Sequence, residues 1–255
     1  MRNIALLISY NGSGYHGWQY QENAVSVSEV LSAAAEKVFG KISAIVGCGR
    51  TDAGVHAINY VCNFFAETKI PVDKIHMALN ANLPDDIRVK KAAFMPDDFH
   101  SRFCVTKKRY VYKIVCGTVG DVFLNSLAWH VKYKLDFDKM QSACRHFIGE
   151  HDFAAFRASG SDTKTSVRSI YDLHIEKEGN IITVDVCANG FLYNMVRIIT
   201  GTLMYVGCGK INEADIPGII EGLDRTRAGI TAPPQGLYMH SVIYDEKFDL
   251  DLFDE

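Results

Sequence analysis

The sequence lacks the features that would assign it to a membrane, disulfide-rich or metal-binding class. No apolar run approaches the roughly 20 residues that a membrane-spanning helix needs. The 7 cysteines are odd in number and include no Cys-x-x-Cys pair, which argues against a disulfide framework and a thiolate zinc site. No His-Glu-x-x-His motif is present. We therefore expect a protein of the reducing cytoplasm, with no bound metal and no membrane contact.

Motifs for nucleotide cofactors and serine nucleophiles are missing as well. Residues 207–210 resemble a phosphate loop, but Ile211 replaces the required Ser or Thr. Residues 12–17 fit the spacing G-x-G-x-x-G, but we expect the next helix to begin only near Ser26, so these glycines do not open it. No Gly-x-Ser-x-Gly elbow occurs. The sequence predicts no cofactor.

The net charge of −3 disfavours nucleic acid as a partner, but a local basic face matters more than the total. Basic residues gather in one part of the chain, at Arg88, Lys90, Lys91, Arg102, Lys107, Lys108, Arg109 and Lys113. A solvated surface explains any single one of these lysines equally well.

The first half of the chain alternates between strand and helix patterns. Its composition, with 48% apolar and 22% charged residues, is that of a globular protein. Ser26 and Glu29 form a capping box before a helix, and Pro71 suits the first position of a second helix. The expected strands are 4–10, 42–48, 60–66 and 87–94, and the expected helices are 30–39 and 72–79. The order β-α-β-β-α-β is ferredoxin-like.

The second half looks like a variation on the first. The expected strands are 109–116, 127–131, 168–176, 181–188 and 237–244, and the expected helices are 136–148, 193–206 and 213–221. We predict two units, residues 1–100 and residues 101–255. The fold class is α/β (α+β), with two ferredoxin-like or RRM-like halves whose antiparallel sheets form a central cleft.

Residues 49–57 are the most informative segment of the chain. Arg50 and Asp52 lie between Gly49 and Gly54, and apolar strand patterns precede and follow them. Loops between buried strands carry function, and glycine allows close approach of the backbone to a ligand. A tight turn in which Asp52 bonds its own backbone is the alternative interpretation.

Arg197 lies in the middle of a predicted helix, 193–206, that is apolar on nearly all sides. Such a helix is expected to be buried, and a buried guanidinium needs a carboxylate partner. Asp52 is the best candidate, and an arginine within about 4–6 Å would keep it ionised. The alternative is that Arg197 extends to solvent from the edge of the helix.

Tyr110 and Tyr112 alternate on a predicted strand and therefore share one face. Arg109, Val111 and Lys113 occupy the other face. Aromatic rings beside cations suit RNA, because unstacked bases stack on tyrosine and phosphates attract lysine and arginine. A half-buried strand with a charged outer face is the alternative.

Together these segments resemble the TruA family of tRNA pseudouridine synthases over nearly the whole chain. Residues 49–56, GRTDAGVH, are similar to the catalytic motif of that family, which is highly specific. Further similar motifs follow in family order: 15–19 YHGWQ, 80–84 NANLP, 98–103 DFHSRF, 109–112 RYVY, 152–157 DFAAFR, 191–197 FLYNMVR and 236–238 GLY.

The resemblance implies a homodimer without metal or cofactor that converts uridine to pseudouridine in the anticodon arm of tRNA, at positions 38, 39 and 40. By the same resemblance, Asp52 is the catalytic carboxylate and Arg197 pairs with it. Tyr110 stacks on the flipped uracil, Leu237 packs against the base, and Arg50 helps to hold the nucleotide. Basic residues expected to contact the RNA are Arg102, Lys107, Lys108, Arg109 and Arg168.

The chain departs from the family pattern at Ser28, Asn59, Tyr60 and Asn63. These positions flank the expected site, so a paralogue with the same chemistry and a shifted RNA target stays open. A non-catalytic RNA-binding protein is a second hypothesis, which the intact residues 50–52 disfavour. A glycosidase that hydrolyses the nucleoside bond is a third, but it would need a second carboxylate.

Overall fold

The computed structural model describes residues 1–160 and 163–248, so residues 249–255 of the predicted second half lie outside it. Its strands are β1 (Arg2–Tyr10), β2 (Val46–Gly47), β3 (His56–Ala66), β4 (Ile87–Met95), β5 (Val105–Cys116), β6 (Trp129–Val131), β7 (Gly149–Asp152), β8 (Val167–Glu178), β9 (Ile181–Ala188) and β10 (Leu237–Tyr244). Its α-helices are α1 (Val27–Phe39), α2 (Val72–Asn80), α3 (Phe137–Cys144), α4 (Met195–Gly207) and α5 (Ile216–Glu221). The predicted mixed α/β class is confirmed.

The described chain divides into two compact units, residues 1–106 with 238–248, and residues 107–237. In the first unit, β1 lies between β3 and β4 and pairs antiparallel with both, while β10 joins β3 in parallel. The chain order through β4 is β-α-β-β-α-β, as predicted.

The capping box predicted before α1 is present. The Ser26 hydroxyl accepts a hydrogen bond from the Glu29 amide, and the Glu29 carboxylate accepts one from the Ser26 amide. Ser26 is the cap itself, so the helix begins at Val27, directly after the capping serine as the motif predicts. Pro71 is likewise the cap of α2 and not its first helical residue.

The predicted strand 42–48 is mostly irregular, and only β2 and an isolated bridge from Ile42 to Ala66 remain of it. Ser43 explains the interruption. Its hydroxyl accepts from the Phe65 amide at 2.9 Å, and its own amide donates to the Phe65 carbonyl oxygen at 2.9 Å. The Ser43 hydroxyl thus accepts the hydrogen bond of a backbone amide that a carbonyl oxygen of a regular strand would otherwise accept.

The second unit is built on a sheet of order β5-β9-β8-β7, with β6 parallel to β5. The predicted hairpin of β8 and β9 is confirmed and turns at Gly179, whose φ is +58°. Helices α3 and α4 contact each other. The predicted helix 136–148 ends earlier, at Cys144, and continues as a 3-10 turn.

Residues 238–248 group with the first unit because β10 pairs with β3, where Tyr238 faces His56 and Met239 faces Ala57. The sequence-based division places them in the second half, because no local pattern signals that β10 pairs with a strand so distant in sequence. Within the described ranges, no helix is long and apolar enough to cross a bilayer.

Candidate active site

Asp52 lies in the loop that joins β2 to β3, in the first unit. Its side chain is partly exposed, Arg50 is exposed, and Thr51 between them is buried. The Val55 amide donates to the Asp52 carbonyl oxygen at 3.1 Å, which closes a turn over four residues. Gly54 has a φ of +77° at the third position, where glycine is the favoured residue. The predicted charged loop is therefore a tight turn that presents a carboxylate.

Buried hydrogen bonds fix the backbone before Asp52. The Thr51 hydroxyl lies 2.8 Å from the Tyr10 hydroxyl, and the Thr51 carbonyl oxygen accepts from the Trp18 amide at 3.2 Å. On the far side, the Gly54 amide donates to the Tyr15 carbonyl oxygen at 3.2 Å. A backbone held on both sides gives Asp52 a defined position, which catalysis requires.

Two glycines within residues 12–17 allow that segment to pack closely against the loop of Asp52. A Cβ on Gly17 would lie 2.2 Å from the Thr51 carbonyl oxygen, and Gly17 has a φ of +84°. A Cβ on Gly12 would lie 2.0 Å from the Val55 carbonyl oxygen. Both glycines belong to the G-x-G-x-x-G spacing that does not open a helix. The sequence did not reveal that they pack against the loop of Asp52.

Three aromatic rings support the same loop. Trp18 stacks on Tyr60 with centroids 4.2 Å apart, and Tyr10 lies 5.7 Å from Tyr60. The Tyr60 hydroxyl donates to the Gly49 carbonyl oxygen. Burial raises the pKa of Tyr60 well above its ordinary value, so the hydroxyl keeps the proton that it donates.

In the second unit, Tyr110 and Tyr112 lie on β5. Tyr110 is 8% exposed and meets Phe191 edge-on, with centroids 5.1 Å apart. Tyr112 is fully buried, and its hydroxyl donates to the Pro233 carbonyl oxygen at 2.6 Å. Burial raises the pKa of Tyr112, while the positive charge of Arg197 acts in the opposite direction.

Arg197 lies in the first turn of α4 and not in the middle of the helix, because Asn194 has a left-handed backbone and the helix begins at Met195. Its Nε donates to the Ala232 carbonyl oxygen at 2.6 Å, and a terminal nitrogen donates to Asn194 Oδ1 at 2.6 Å. A cation at a helix N-terminus opposes the helix dipole, so these acceptors matter for its position. Pairing of Arg197 with Asp52 stays a prediction.

Leu237 follows a segment that Tyr112 holds in place. A Cβ on Gly236 would lie 2.5 Å from the Tyr112 ring, so only glycine fits there. Leu237 itself is 6% exposed. Tyr112 thus contacts both Pro233 and Gly236, which makes it a positioning residue that the sequence pattern alone did not reveal.

The predicted RNA-contact residues have different surroundings. Arg109 pairs with Asp172 at 3.0 Å and with Asp185 at 3.3 Å, so its charge is already compensated within the sheet. The Lys107 ammonium, on an exposed side chain, lies 5.1 Å from the centre of the Tyr171 ring. Arg168 donates to two nearby carbonyl oxygens, and partial burial lowers the pKa of its guanidinium.

A model of the tRNA pseudouridine synthase family matches residues 6–104 and 143–245. The chain belongs to the tRNA pseudouridine synthase family. Proteins named tRNA pseudouridine synthase A are similar to it along nearly its whole length. They include those of Thermoanaerobacter sp. (strain X514), 50% identical over 244 residues, Ruminiclostridium cellulolyticum, 48% over 245 residues, and Citrifermentans bemidjiense, 45% over 250 residues.

These alignments cover 96% to 98% of this chain and 100% of each relative. The resemblance inferred from the motifs is confirmed. Synthases of this family are isomerases that convert uridine to pseudouridine, so the chain is an isomerase.

Among solved structures, the chain is similar to one described as an H/ACA RNP bound to a substrate RNA containing 2′-deoxyuridine. The TM-score is 0.35 at 15% identity, over 94% of this chain and 50% of that one. A Cbf5-Nop10-Gar1 complex gives a TM-score of 0.34 at 13% identity, over 93% and 58% of the respective chains. Likeness at this level carries no argument about function.

Two departures from the synthase pattern are buried side chains that support the first unit. Tyr60 donates a hydrogen bond to the Gly49 carbonyl oxygen in the loop of Asp52. Asn63 donates to Asn3 Oδ1 at 2.8 Å and accepts from the Ser101 amide at 2.9 Å. Asn59, which is partly exposed, accepts from the Lys90 ammonium at 2.8 Å. Each of these three residues thus has partners within the first unit.

Proposed function

We propose that this protein converts uridine to pseudouridine in the anticodon arm of tRNA, at positions 38, 39 and 40. The observation that carries the proposal is the partly exposed carboxylate of Asp52, on a turn whose backbone is fixed from both sides. The relatives are named for action on tRNA, which supports the same class of substrate here.

A carboxylate suits the first step of this isomerisation. Asp52 attacks C1′ of the ribose, and the electrons of the C1′–N1 bond leave with uracil. In the alternative route, Asp52 removes a neighbouring sugar proton as the same bond breaks. The uracil then turns. In the first route C5 bonds to C1′ as the bond between Asp52 and C1′ breaks, and in the second C5 bonds to C1′ as Asp52 returns the sugar proton. In both routes the hydrogen on C5 is released as a proton and N1 takes one up. No oxidant, reductant or transferred group is required.

The detached base must turn without escaping, and Tyr110 is suited to this task. We propose that its ring, held edge-on by Phe191, stacks on the flipped uracil. A flat aromatic face permits rotation of a base while it limits escape. Leu237 packs against the same base, and Arg50 holds the flipped nucleotide.

Positive charge favours the flipped state. Flipping a nucleotide out of its stack costs a few kcal/mol, and phosphate contacts offset part of that cost. We propose that phosphate contacts are made by Arg102, Lys107, Lys108 and Arg168. Arg109 instead stabilises the sheet through its two carboxylate partners.

We propose further that Arg197 keeps Asp52 ionised. The protein acts as a homodimer in the cytoplasm, and it needs no cofactor.

The target positions are tested by mapping pseudouridine in tRNA transcripts. Purified protein is incubated with tRNA that carries uridine at position 38, 39 or 40 singly, and the modified nucleotide is located by carbodiimide labelling and primer extension. We expect modification at each of the three positions. Modification elsewhere in RNA, with none in the anticodon arm, would instead favour the paralogue with a shifted target.

A further inference from the structure

The turn after β4 presents an aromatic ring to solvent, away from the loop of Asp52 in sequence. Phe103 is 76% exposed. Its ring stacks on His100, with centroids 4.3 Å apart and planes inclined by 27°. The guanidinium carbon of Arg102 lies 5.7 Å from the centre of the same ring. A single exposed phenylalanine is ordinary, but one stacked on an imidazole beside a guanidinium is a specific arrangement.

Buried hydrogen bonds hold this turn in place. Ser101 is fully buried, and its amide donates to Asn63 Oδ1 at 2.9 Å. Its hydroxyl donates to the Val46 carbonyl oxygen at 2.7 Å, and its carbonyl oxygen accepts from the Tyr244 hydroxyl at 2.8 Å. The exposure of Phe103 is therefore built into the backbone and is not the result of a loose loop.

His100 completes the platform. Its Nδ1 accepts from the Arg102 amide at 3.2 Å and from the Phe103 amide at 3.3 Å. In the neutral ring the proton therefore lies on Nε2, which can donate to a ligand. The turn thus combines an exposed π face, a cation and a hydrogen-bond donor.

We propose that Phe103 stacks on an unpaired base of the substrate RNA, while Arg102 contacts the adjoining phosphate. The inference rests on the proposed function and adds a contact beyond those assigned to the flipped uridine. Single-stranded bases bind on aromatic platforms flanked by cations, which is the chemistry that this turn offers. The cationic and polar neighbours of the ring favour a polyanion over an apolar protein surface.

The test measures tRNA affinity by filter binding and single-turnover rate at saturating protein. The variants are F103A, F103L and F103W, and the control is F123A, because Phe123 is 86% exposed in the second unit. We expect F103A to bind tRNA about 5- to 150-fold more weakly, which corresponds to loss of one stacked base. F103L should be similarly weak, F103W and F123A should match the wild type, and the saturated rate should not change.

Circular dichroism and sedimentation accompany each variant. An F103A protein that is folded and binds tRNA within twofold of the wild type would overturn the inference while leaving the proposed function intact. Equal loss in F123A, full binding by F103L, or a change of oligomeric state in F103A would overturn it too, the last by assigning the ring to a contact between copies. A wild type that neither binds nor modifies tRNA would overturn both proposals.

Discussion

At the scale of single residues, the loop of Asp52 depends on neighbours that lie far from it in sequence. Local pattern and family resemblance were enough to single out Asp52 and Arg50. They did not reveal the support from Gly17 and Tyr60, because that support depends on contacts between segments about 10 to 35 residues apart. The position of Arg197 at the helix start was also missed, since it depends on the left-handed backbone of Asn194.

Replacing Gly17 with alanine tests the close approach beneath the loop. Alanine at a φ of +84° costs about 1–2 kcal/mol, and its Cβ would clash with the Thr51 carbonyl oxygen. We expect Gly17→Ala to lower the free energy of unfolding by more than about 2 kcal/mol and to slow turnover, as measured by urea denaturation and single-turnover assays.

Gly209→Ala is the matched control, because Gly209 has a φ of +77° but open space around its Cβ position. It should show the backbone cost of about 1–2 kcal/mol alone and leave turnover unchanged. Equal destabilisation of the two variants would contradict the account of the clash.

At the scale of elements, local signals predicted what local forces determine. The capping box began α1, and turn and alternation patterns identified the hairpin of β8 and β9. Segment 42–48 was predicted as a continuous strand, because a serine that replaces a backbone hydrogen bond leaves no mark in hydrophobic periodicity. The grouping of β10 with the first unit could not be predicted, since it depends on pairing across most of the chain.

The cap of α1 can be measured directly. Ser26→Ala removes the side-chain acceptor of the Glu29 amide and should cost about 1 kcal/mol of stability, observed as a lower midpoint of thermal unfolding. Ser32→Ala, further along the same helix, should be neutral or slightly stabilising because alanine favours the helix. An unchanged midpoint in Ser26→Ala would show that the cap contributes little here.

At the scale of the whole molecule, a chain of net charge −3 must bind a polyanion through local basic residues. Lys107 and Arg109 are two residues apart, yet only Arg109 is paired with two carboxylates. They therefore offer a direct comparison between a charge available to RNA and a charge used within the fold.

We expect tRNA affinity to fall steeply with salt, and Lys107→Gln to reduce the slope of log K against log salt by about 0.7 to 0.9. Arg109→Gln should leave the slope nearly unchanged and lower the thermal midpoint instead, because it removes the cation that pairs with both Asp172 and Asp185. Equal changes of slope in the two variants would contradict this division of roles.

The central claim is that Asp52 catalyses pseudouridine formation in tRNA, and release of tritium from tRNA containing 5-tritiated uridine tests it most directly. Formation of the new C1′–C5 bond must expel the hydrogen on C5, so release reports the chemistry itself. We predict release by the wild type and at least about 100-fold slower release by Asp52→Ala, with tRNA affinity nearly unchanged. Release by Asp52→Ala at the wild-type rate, or no release by the wild type from any tRNA, would contradict the account.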